Sequence, residues 1–170
     1  MGAASQAPLR ALSSGDEAIR CVITYQKESW AKLLPELPAL FVIHWQEVGL
    51  DRDKVPLDPD WQRYAKLESD GILHMMTCRD DGILIGYYVA LVLPHLHYKS
   101  SLTAFSDIFF IHPEYRRGLT GYKLFLETEK MLKKLNVQKS YVMTKQHLPL
   151  NILMKRLKYR FIEKIYTKLL

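Results

Sequence analysis

One acid and two histidines are the side chains of this sequence best placed to move a proton. Asp107 is the only acid in the otherwise apolar or small run SLTAFSDIFFI, and burial there would raise the pKa of its carboxyl group. This makes Asp107 a candidate general base, with a hydrogen bond to a neighbouring backbone turn as the alternative role. His95 and His97 precede the run and titrate in a useful range, although an exposed loop histidine is more often a bystander. With no third ligand in sight, we expect no metal at this HxH pair.

A basic turn containing two glycines follows the same run and opens a helical pattern. The segment HPEYRRGLTGYKLF places Arg116 and Arg117 just before Gly118 and Gly121. Free amides at a helix N-terminus favour anions, and glycines let phosphate oxygens approach the backbone. The turn therefore predicts an anion site, with a ligand-free basic turn as the alternative. It matches neither GxxxxGK[ST] nor GxGxxG, so neither of those nucleotide-binding folds is indicated.

Positive charge is concentrated in the last third of the chain. From Arg116 onward the net charge is +11, whereas residues 1–115 carry −5 and the whole chain +6. Such a region attracts polyanions such as nucleic acid, anionic lipid or a phosphorylated cofactor, unless its lysines are simply solvated. Nucleic acid is the least favoured of these partners, because the lysines of the long helix are spread around it without interleaved exposed aromatic residues.

The composition is that of a folded domain. The chain has 170 residues, 48% of them hydrophobic and 25% charged, which excludes a disordered tail or a coiled coil and predicts a single domain over 1–170. No apolar run reaches the length of a membrane span. Residues 1–15 lack a secretory pattern, so we expect a flexible or loosely packed N-terminal segment and a cytoplasmic protein. Cys21 and Cys78 are predicted to be buried free thiols.

Hydrophobic periodicity predicts alternating strands and helices. The predicted strands lie at 19–25, 72–79, 83–93, 102–111, 140–145 and 161–169. The predicted helices lie at 29–34, between Pro38 and Gly49, and at 61–68, 121–135 and 150–159. An Asp-Gly turn joins the second and third strands, and a loop over PHLHYKSS precedes the fourth. Single helices between the last strands imply parallel crossovers, so the sheet is predicted to be mixed.

The segment HPEYRRGLTGYKLF, with a strand before it and a long helix after it, resembles the acetyl-coenzyme A loop of the GNAT superfamily of N-acyltransferases. The order of elements is similar to that fold, and NILMKRLKYRF and EKIYTKLL resemble its last helix and final strand. The compact whole resembles GNAT proteins encoded by bacteriophages, which implies a bacterial or phage-infected cell. The resemblance implies an α/β (α+β) domain with a mixed, mostly antiparallel central sheet of about six to seven strands flanked by helices. In that fold the fourth and fifth strands splay apart.

The resemblance also implies an acyl-CoA-dependent N-acetyltransferase that binds acetyl-CoA and transfers its acetyl group to an amine by direct attack. The pantetheine arm would pair with the backbone of Phe110, Ile111 and His112. The remaining cofactor contacts would come from the turn and the last helix, at Arg116, Arg117, Gly118, Leu119, Thr120, Gly121 and Asn151. The usual R/Q-x-x-G-x-G/A pattern reads here as Tyr115, Gly118 and Thr120, with Gly121 one place late.

Within that chemistry Asp107 is the first candidate base, and His95 and His97 are the second. Tyr159 is the nearest counterpart of the family's general-acid tyrosine, with packing at a helix end as its alternative role. The acceptor is an amine on a small molecule or a protein, no membrane partner is expected, and a homodimer is left open. The alternative to an enzyme is a catalytically inactive protein of the same fold, acting as a phage virion or host-interaction component.

Overall fold

The computed structural model describes residues 22–170, which form five strands, five α-helices and one short 3₁₀ helix, Pro113–Tyr115. The expected loose segment at 1–15, Cys21 and the start of the predicted strand 19–25 lie outside this range. The strands are β1 (Ile23–Glu28), β2 (Leu73–Asp80), β3 (Ile83–His95), β4 (Tyr98–Ile111) and β5 (Val137–Tyr141). The helices are α1 (Trp30–Leu33), α2 (Leu37–Val48), α3 (Trp61–Ser69), α4 (Thr120–Lys134) and α5 (Asn151–Arg156).

The strands form one sheet in the order β1-β2-β3-β4-β5. The first four pair antiparallel, and α4 carries the chain over to β5, which runs parallel to β4. Asp81 and Gly82 both adopt positive φ in the β2–β3 turn, as a two-residue hairpin turn requires. The mixed sheet flanked by helices confirms the predicted class of fold.

Helices cover both faces of the sheet. On one face, Trp30, Leu33 and Phe41 of α1 and α2 pack against Met75 and Tyr87. On the other, Leu124, Phe125 and Leu132 of α4 pack against Met76 and Tyr88. Neighbouring residues of β2 and β3 thus enter opposite cores, as the two-residue period of a strand dictates.

Cys78 confirms the predicted buried thiol. It is free and fully buried in the α4 core, and burial raises the pKa of its thiol to about 12. At neutral pH the group is therefore protonated and behaves as a small apolar side chain.

A buried ion cluster ties the helices α1 and α2 to the sheet. Arg79 on β2 is 5% exposed and donates from Nε to Glu28 at 2.9 Å, while its two terminal nitrogens donate to the Glu36 carboxylate at 3.0 and 2.8 Å. Thr77 donates to the same Glu28 oxygen at 2.7 Å, and Lys32 forms a salt bridge with the other. Burial would raise the pKa of Glu28, but the hydrogen bonds from Lys32, Thr77 and Arg79 lower it.

The structure corrects three predicted elements. The loop predicted at 94–101 is a second tight hairpin, with Leu96 and His97 in the turn and β3 and β4 extending to either side of it. The strand predicted at 140–145 begins earlier, at Val137, because Asn136 ends α4 in the left-handed region and turns the chain directly into it.

The third correction concerns the number of strands. The described residues form five strands rather than six to seven, because the predicted strand 161–169 has no regular secondary structure and is exposed. A strand needs a neighbour for its backbone groups, and no described segment pairs with this one. Among residues 22–170, no helix is both long and apolar enough to cross a membrane.

Candidate active site

The fourth and fifth strands separate partway along the sheet. Their pairing ends at Phe105 opposite Tyr141, whereas β4 continues to Ile111. Just beyond the last pair, the Met143 amide donates to Ser106 Oγ at 2.9 Å. From Asp107 to Ile111 the β5 side of β4 has no neighbouring strand within the described chain. We call this gap the fork. It agrees with the predicted splay of the two strands.

A β-bulge places Asp107 at the fork. Val89 pairs with Ile108 and Ala90 with Ser106, so Asp107 is the extra residue of β4. A bulge bends its strand and re-aims the side chain of the extra residue. Asp107 is exposed although both of its neighbours are partly or fully buried, so its carboxylate is accessible to a substrate.

Asp107 also has the electrostatic environment of a base. The Tyr64 hydroxyl on α3 donates to its carboxylate at 3.3 Å, and the Tyr64 ring stacks on Trp30 with 4.6 Å between centroids. The protein atoms around the carboxylate partly desolvate it, which raises the pKa of Asp107, and the hydrogen bond from Tyr64 opposes that rise. A carboxylate with a raised pKa accepts protons more readily near neutral pH.

Hydroxyl groups meet at the closed end of the fork, where the last pairs of β4 and β5 lie. The Tyr159 hydroxyl donates to Ser140 Oγ at 3.5 Å, which places it beside β5. The Tyr88 hydroxyl interacts with Ser106 and Ser140, and burial raises the pKa of both Tyr88 and Tyr159. Tyr159 was a candidate from the sequence, whereas Tyr88 and the two serines were not, because only the fold brings the three strands β3, β4 and β5 together.

Four of the seven cofactor residues predicted at the turn and the last helix line one groove of about 490 Å³, and Arg117, Leu119 and Thr120 are not among its lining residues. The groove lies between the start of α4 and α5. Its lining residues are Arg116, Gly118, Gly121, Tyr122, Pro149, Leu150, Asn151, Ile152, Leu153 and Arg156. The Arg156 guanidinium lies over the Tyr122 ring at 4.6 Å, and neither residue was anticipated. Tyr122 and Arg156 are 34 positions apart in the sequence, so no local pattern could predict that they meet.

The start of α4 leaves its first amides without a side-chain cap. Leu119 occupies the N-cap position and makes no side-chain hydrogen bond there. Gly118 adopts φ +72°, a conformation that L side chains rarely adopt, and a Cβ added at Gly121 would meet only Ile111 Cδ1, at 3.5 Å. Arg117 is exposed, and Thr120 is buried with its carbonyl accepting a hydrogen bond from Tyr25. Uncapped amides of this kind are available to an anion.

Arg116 is held at the junction between this groove and the fork. It donates from Nε to the Ile111 carbonyl at 2.8 Å, forms a salt bridge with Glu47 of α2, and lies 5.4 Å from the centre of the Phe110 ring. It therefore braces α2 against the end of β4. Phe110 and His112 are buried, and the His112 amide donates to the Ile85 carbonyl at 2.8 Å.

The two loop histidines lie away from the fork. His95 and His97 flank the β3–β4 turn, with 5.2 Å between their ring centroids. Tyr98 is next to His97, and Asp107 lies nine positions further along the extended strand β4, a distance of roughly 30 Å. The structure thus does not bring His97 to Asp107. Within residues 22–170, no group of three potential ligands could hold a metal ion.

Comparison with known proteins identifies the architecture. No family model matches the sequence, and no curated protein matches it. Solved structures do match. An aminoglycoside acetyltransferase from an uncultured soil metagenomic sample, in complex with sisomicin, is 14% identical, with a TM-score of 0.66 over 86% of this chain and 96% of that one. A predicted acetyltransferase from Clostridium acetobutylicum with acetyl-CoA is also 14% identical, with a TM-score of 0.62 over 86% and 95%.

The chain has the GNAT fold. A transcriptional regulator from Bacillus halodurans C-125 matches equally well, at 15% identity and a TM-score of 0.68 over 87% of this chain and 99% of that one. A shared fold at this identity does not by itself assign a reaction, so the function must be argued from the fork and the groove.

Proposed function

We propose that this protein is an acyl-CoA-dependent N-acetyltransferase that uses acetyl-CoA and acetylates an amine. The observation that carries the proposal is the continuity of two features. An uncapped, basic helix start leads through Ile111 to the open edge of β4, and a carboxylate on a bulge stands beside that edge. The acetyltransferases among the structural neighbours support this assignment at the level of the fold.

The described residues fit acetyl-CoA in charge and shape. The amides of residues 117–121 and the Arg156 guanidinium would hold its phosphates, and the Tyr122 ring adds an aromatic face to the same groove. The open edge of β4 beside Ile111 would hold the pantetheine amides by strand-like pairing. The predicted contact at His112 has no free amide, because that amide donates to the Ile85 carbonyl on the β3 side. Asn151, in the wall of the groove, would contact the cofactor from α5. When bound, acetyl-CoA supplies a thioester whose acetyl carbon an uncharged amine can attack.

Two side chains would then handle the protons. Asp107 would take a proton from the incoming ammonium group, directly or through a water, because its carboxylate is accessible and its pKa is raised. The Tyr159 hydroxyl, which is protonated at neutral pH, would donate a proton to the departing coenzyme A thiolate as the carbon–sulfur bond of the thioester breaks. His95 and His97 have no part in this proposal because of their distance from Asp107.

A steady-state assay tests the role of Asp107. With acetyl-CoA and a panel of amines, we expect turnover by the wild type and a fall in kcat of about 10²–10³-fold in Asp107→Asn. The KM for acetyl-CoA should stay within about twofold, since the amide keeps the shape of the carboxylate. Asp70→Asn, which changes an exposed acid at the end of α3, is the matched control. An unchanged kcat in Asp107→Asn would show that Asp107 is not the general base.

The contacts of Arg116 within the protein favour one alternative function. The chain would then be a non-catalytic protein of the same fold that acts in a virion or in host interaction, because the Arg116 side chain is not free to bind a phosphate. Its guanidinium is already engaged by Glu47 and Ile111, which removes one cation from phosphate binding. Under this alternative acetyl-CoA would not turn over on any amine or on host lysate, even where it raises the melting temperature by binding.

A further inference from the structure

The closed end of the fork has a different chemistry on each face of the sheet. Ser106 and Ser140 meet the Tyr88 hydroxyl on the face that α4 covers. Because side chains alternate along a strand, Phe105 and Tyr141, which adjoin these serines, lie on the opposite face, the one that carries α1, α2 and α3. Their rings stack with 5.1 Å between centroids. One face of the closed end is therefore hydroxylic, and the other is aromatic.

Asp107 opens onto the aromatic face. Its carboxylate accepts a hydrogen bond from Tyr64 of α3, and α3 packs against the core on that face. Phe105 lies two positions earlier on the same strand, about 7 Å away. An amine that approaches Asp107 from this face therefore passes close to the Phe105 ring.

No helix covers the two rings, which we call the shelf. Phe105 and Tyr141 are partly exposed, and Leu93, on the same face of the neighbouring strand, is 37% exposed. In the other direction along β4, Phe110 is buried, and the His44 ring of α2 lies 5.0 Å from it. The body of an amine held at the fork therefore has room over the shelf and none over Phe110.

Opposite charges mark the two ends of the shelf. Asp107 supplies a carboxylate at one end. At the other end Lys139 pairs with Thr103, four positions before Asp107 and roughly 13 Å from it. The Lys139 ammonium lies 4.8 Å from the centre of the Tyr141 ring, and the Arg160 charge acts on it. Because like charges repel, a ligand with a second cationic group is disfavoured here.

We propose that the acceptor is a monoamine in which a chain of about two to three carbons joins the amino group to an aromatic ring. Because Phe105 and Tyr141 stack face to face, they present their edges to the ligand ring, an arrangement that aromatic groups favour. This inference rests on the proposed acetyl transfer and names its substrate class. The ammonium group gives one proton to Asp107, and the nitrogen then bonds to the acetyl carbon as the carbon–sulfur bond breaks. Tyr159 gives a proton to the departing sulfur and regains one from the nitrogen.

Acetylation of three amines tests the shelf. The wild-type kcat/KM should be about tenfold higher with 2-phenylethylamine than with propylamine, which lacks the ring, or with spermidine, which carries further charges. Phe105→Ala should reduce the first of these ratios about fivefold, and Lys139→Glu should reduce the second by a similar factor. Ile83→Ala changes an exposed apolar residue at the far end of β3 and should alter neither ratio. Equal kcat/KM values for the three amines overturn the proposal.

Binding measured without acetyl-CoA separates this proposal from the acetyl transfer itself. In a ligand-observed NMR titration, the wild type should bind 2-phenylethylamine, and Phe105→Leu should weaken that binding about fivefold. Leucine keeps the apolar volume, so this variant also serves if the alanine variant does not fold. Binding that depends on Phe105, without turnover of any amine, would contradict the acetyl transfer and support the shelf. No binding, or equal binding in the leucine variant, overturns the shelf even if other amines are acetylated.

Discussion

At the scale of single residues, the sequence identifies the acid but not its surroundings. Asp107 is conspicuous as the only acid of an apolar strand, and desolvation raises its pKa in the predicted direction although the bulge leaves the residue exposed. The bulge that exposes it depends on pairing with β3, and its partner Tyr64 lies 43 residues away on α3. Neither long-range relation leaves a local pattern. The contact of the Arg156 guanidinium with the Tyr122 ring likewise joins residues far apart in the sequence and could not be predicted from it.

Tyr64→Phe tests the partner of the base. Because the Tyr64 hydrogen bond lowers the pKa of Asp107, its loss should raise that pKa and leave the base protonated at higher pH. The acidic limb of the kcat/KM profile should therefore move to higher pH, by up to about one unit. Tyr98→Phe at the exposed β3–β4 hairpin is the control. A shift to lower pH would contradict this reading of the contact.

Arg156→Gln tests the new groove residue. Removing one phosphate-facing guanidinium should raise the KM for acetyl-CoA about tenfold at low salt, while kcat stays within about twofold. Lys155→Gln, an exposed neighbour outside the groove, should change neither constant by more than about twofold. Equal effects from the two substitutions would indicate general electrostatic attraction rather than a specific contact.

At the scale of elements, local signals succeed where neighbours in sequence decide the structure. The Asp60 side chain accepts from the Arg63 amide at 2.9 Å, which confirms the predicted start of α3, and the apolar stripe of α4 faces the core. The predicted loop at 94–101 fails because pairing with the partner strand outweighs the turn-like composition. The terminal strand fails for the opposite reason, since its pattern is correct but the described chain provides no neighbour.

The ion cluster that joins β2 to α1 and α2 makes stability depend on pH. The pKa of Glu28 is lowered in the folded protein, so its contribution is fully present above the ordinary value of 4.5 and is lost as pH falls through the folded pKa. Urea unfolding should show a loss of stability below about pH 4.5 in the wild type and a smaller loss in Glu28→Gln. Identical pH dependence in the two proteins would exclude Glu28 as its source.

Arg79→Met probes the same cluster at constant pH. It leaves the Glu28 carboxylate buried with fewer partners, so unfolding in urea at pH 7 should require about 3–5 kcal/mol less free energy. Lys66→Met removes a surface pair with Asp70 and should cost less than about 1 kcal/mol. A similar loss in both variants would show that burial does not distinguish the two ion pairs.

At the scale of the whole molecule, the resemblance of the basic turn and of the order of elements to the GNAT superfamily implied the fold and the fork between β4 and β5, and the structure has both. The concentration of positive charge after residue 115 agrees with the position of the groove. Both arginines that line the groove, Arg116 and Arg156, belong to this basic last third of the chain. The acceptor was not predictable, because the residues near Asp107 come from elements far apart in sequence. The predicted number of strands was wrong because the terminal segment 161–169 has no neighbouring strand within the described residues.

The central claim is that the open edge of β4 and the start of α4 together hold one ligand, acetyl-CoA. Hydrogen exchange of backbone amides, followed by mass spectrometry with and without millimolar acetyl-CoA, tests it most directly. The account predicts slower exchange in peptides covering 107–112 and 117–123, and no change in the hairpin at 94–100. Saturating acetyl-CoA that leaves both of the first two regions unchanged, or protects only the hairpin, would contradict it.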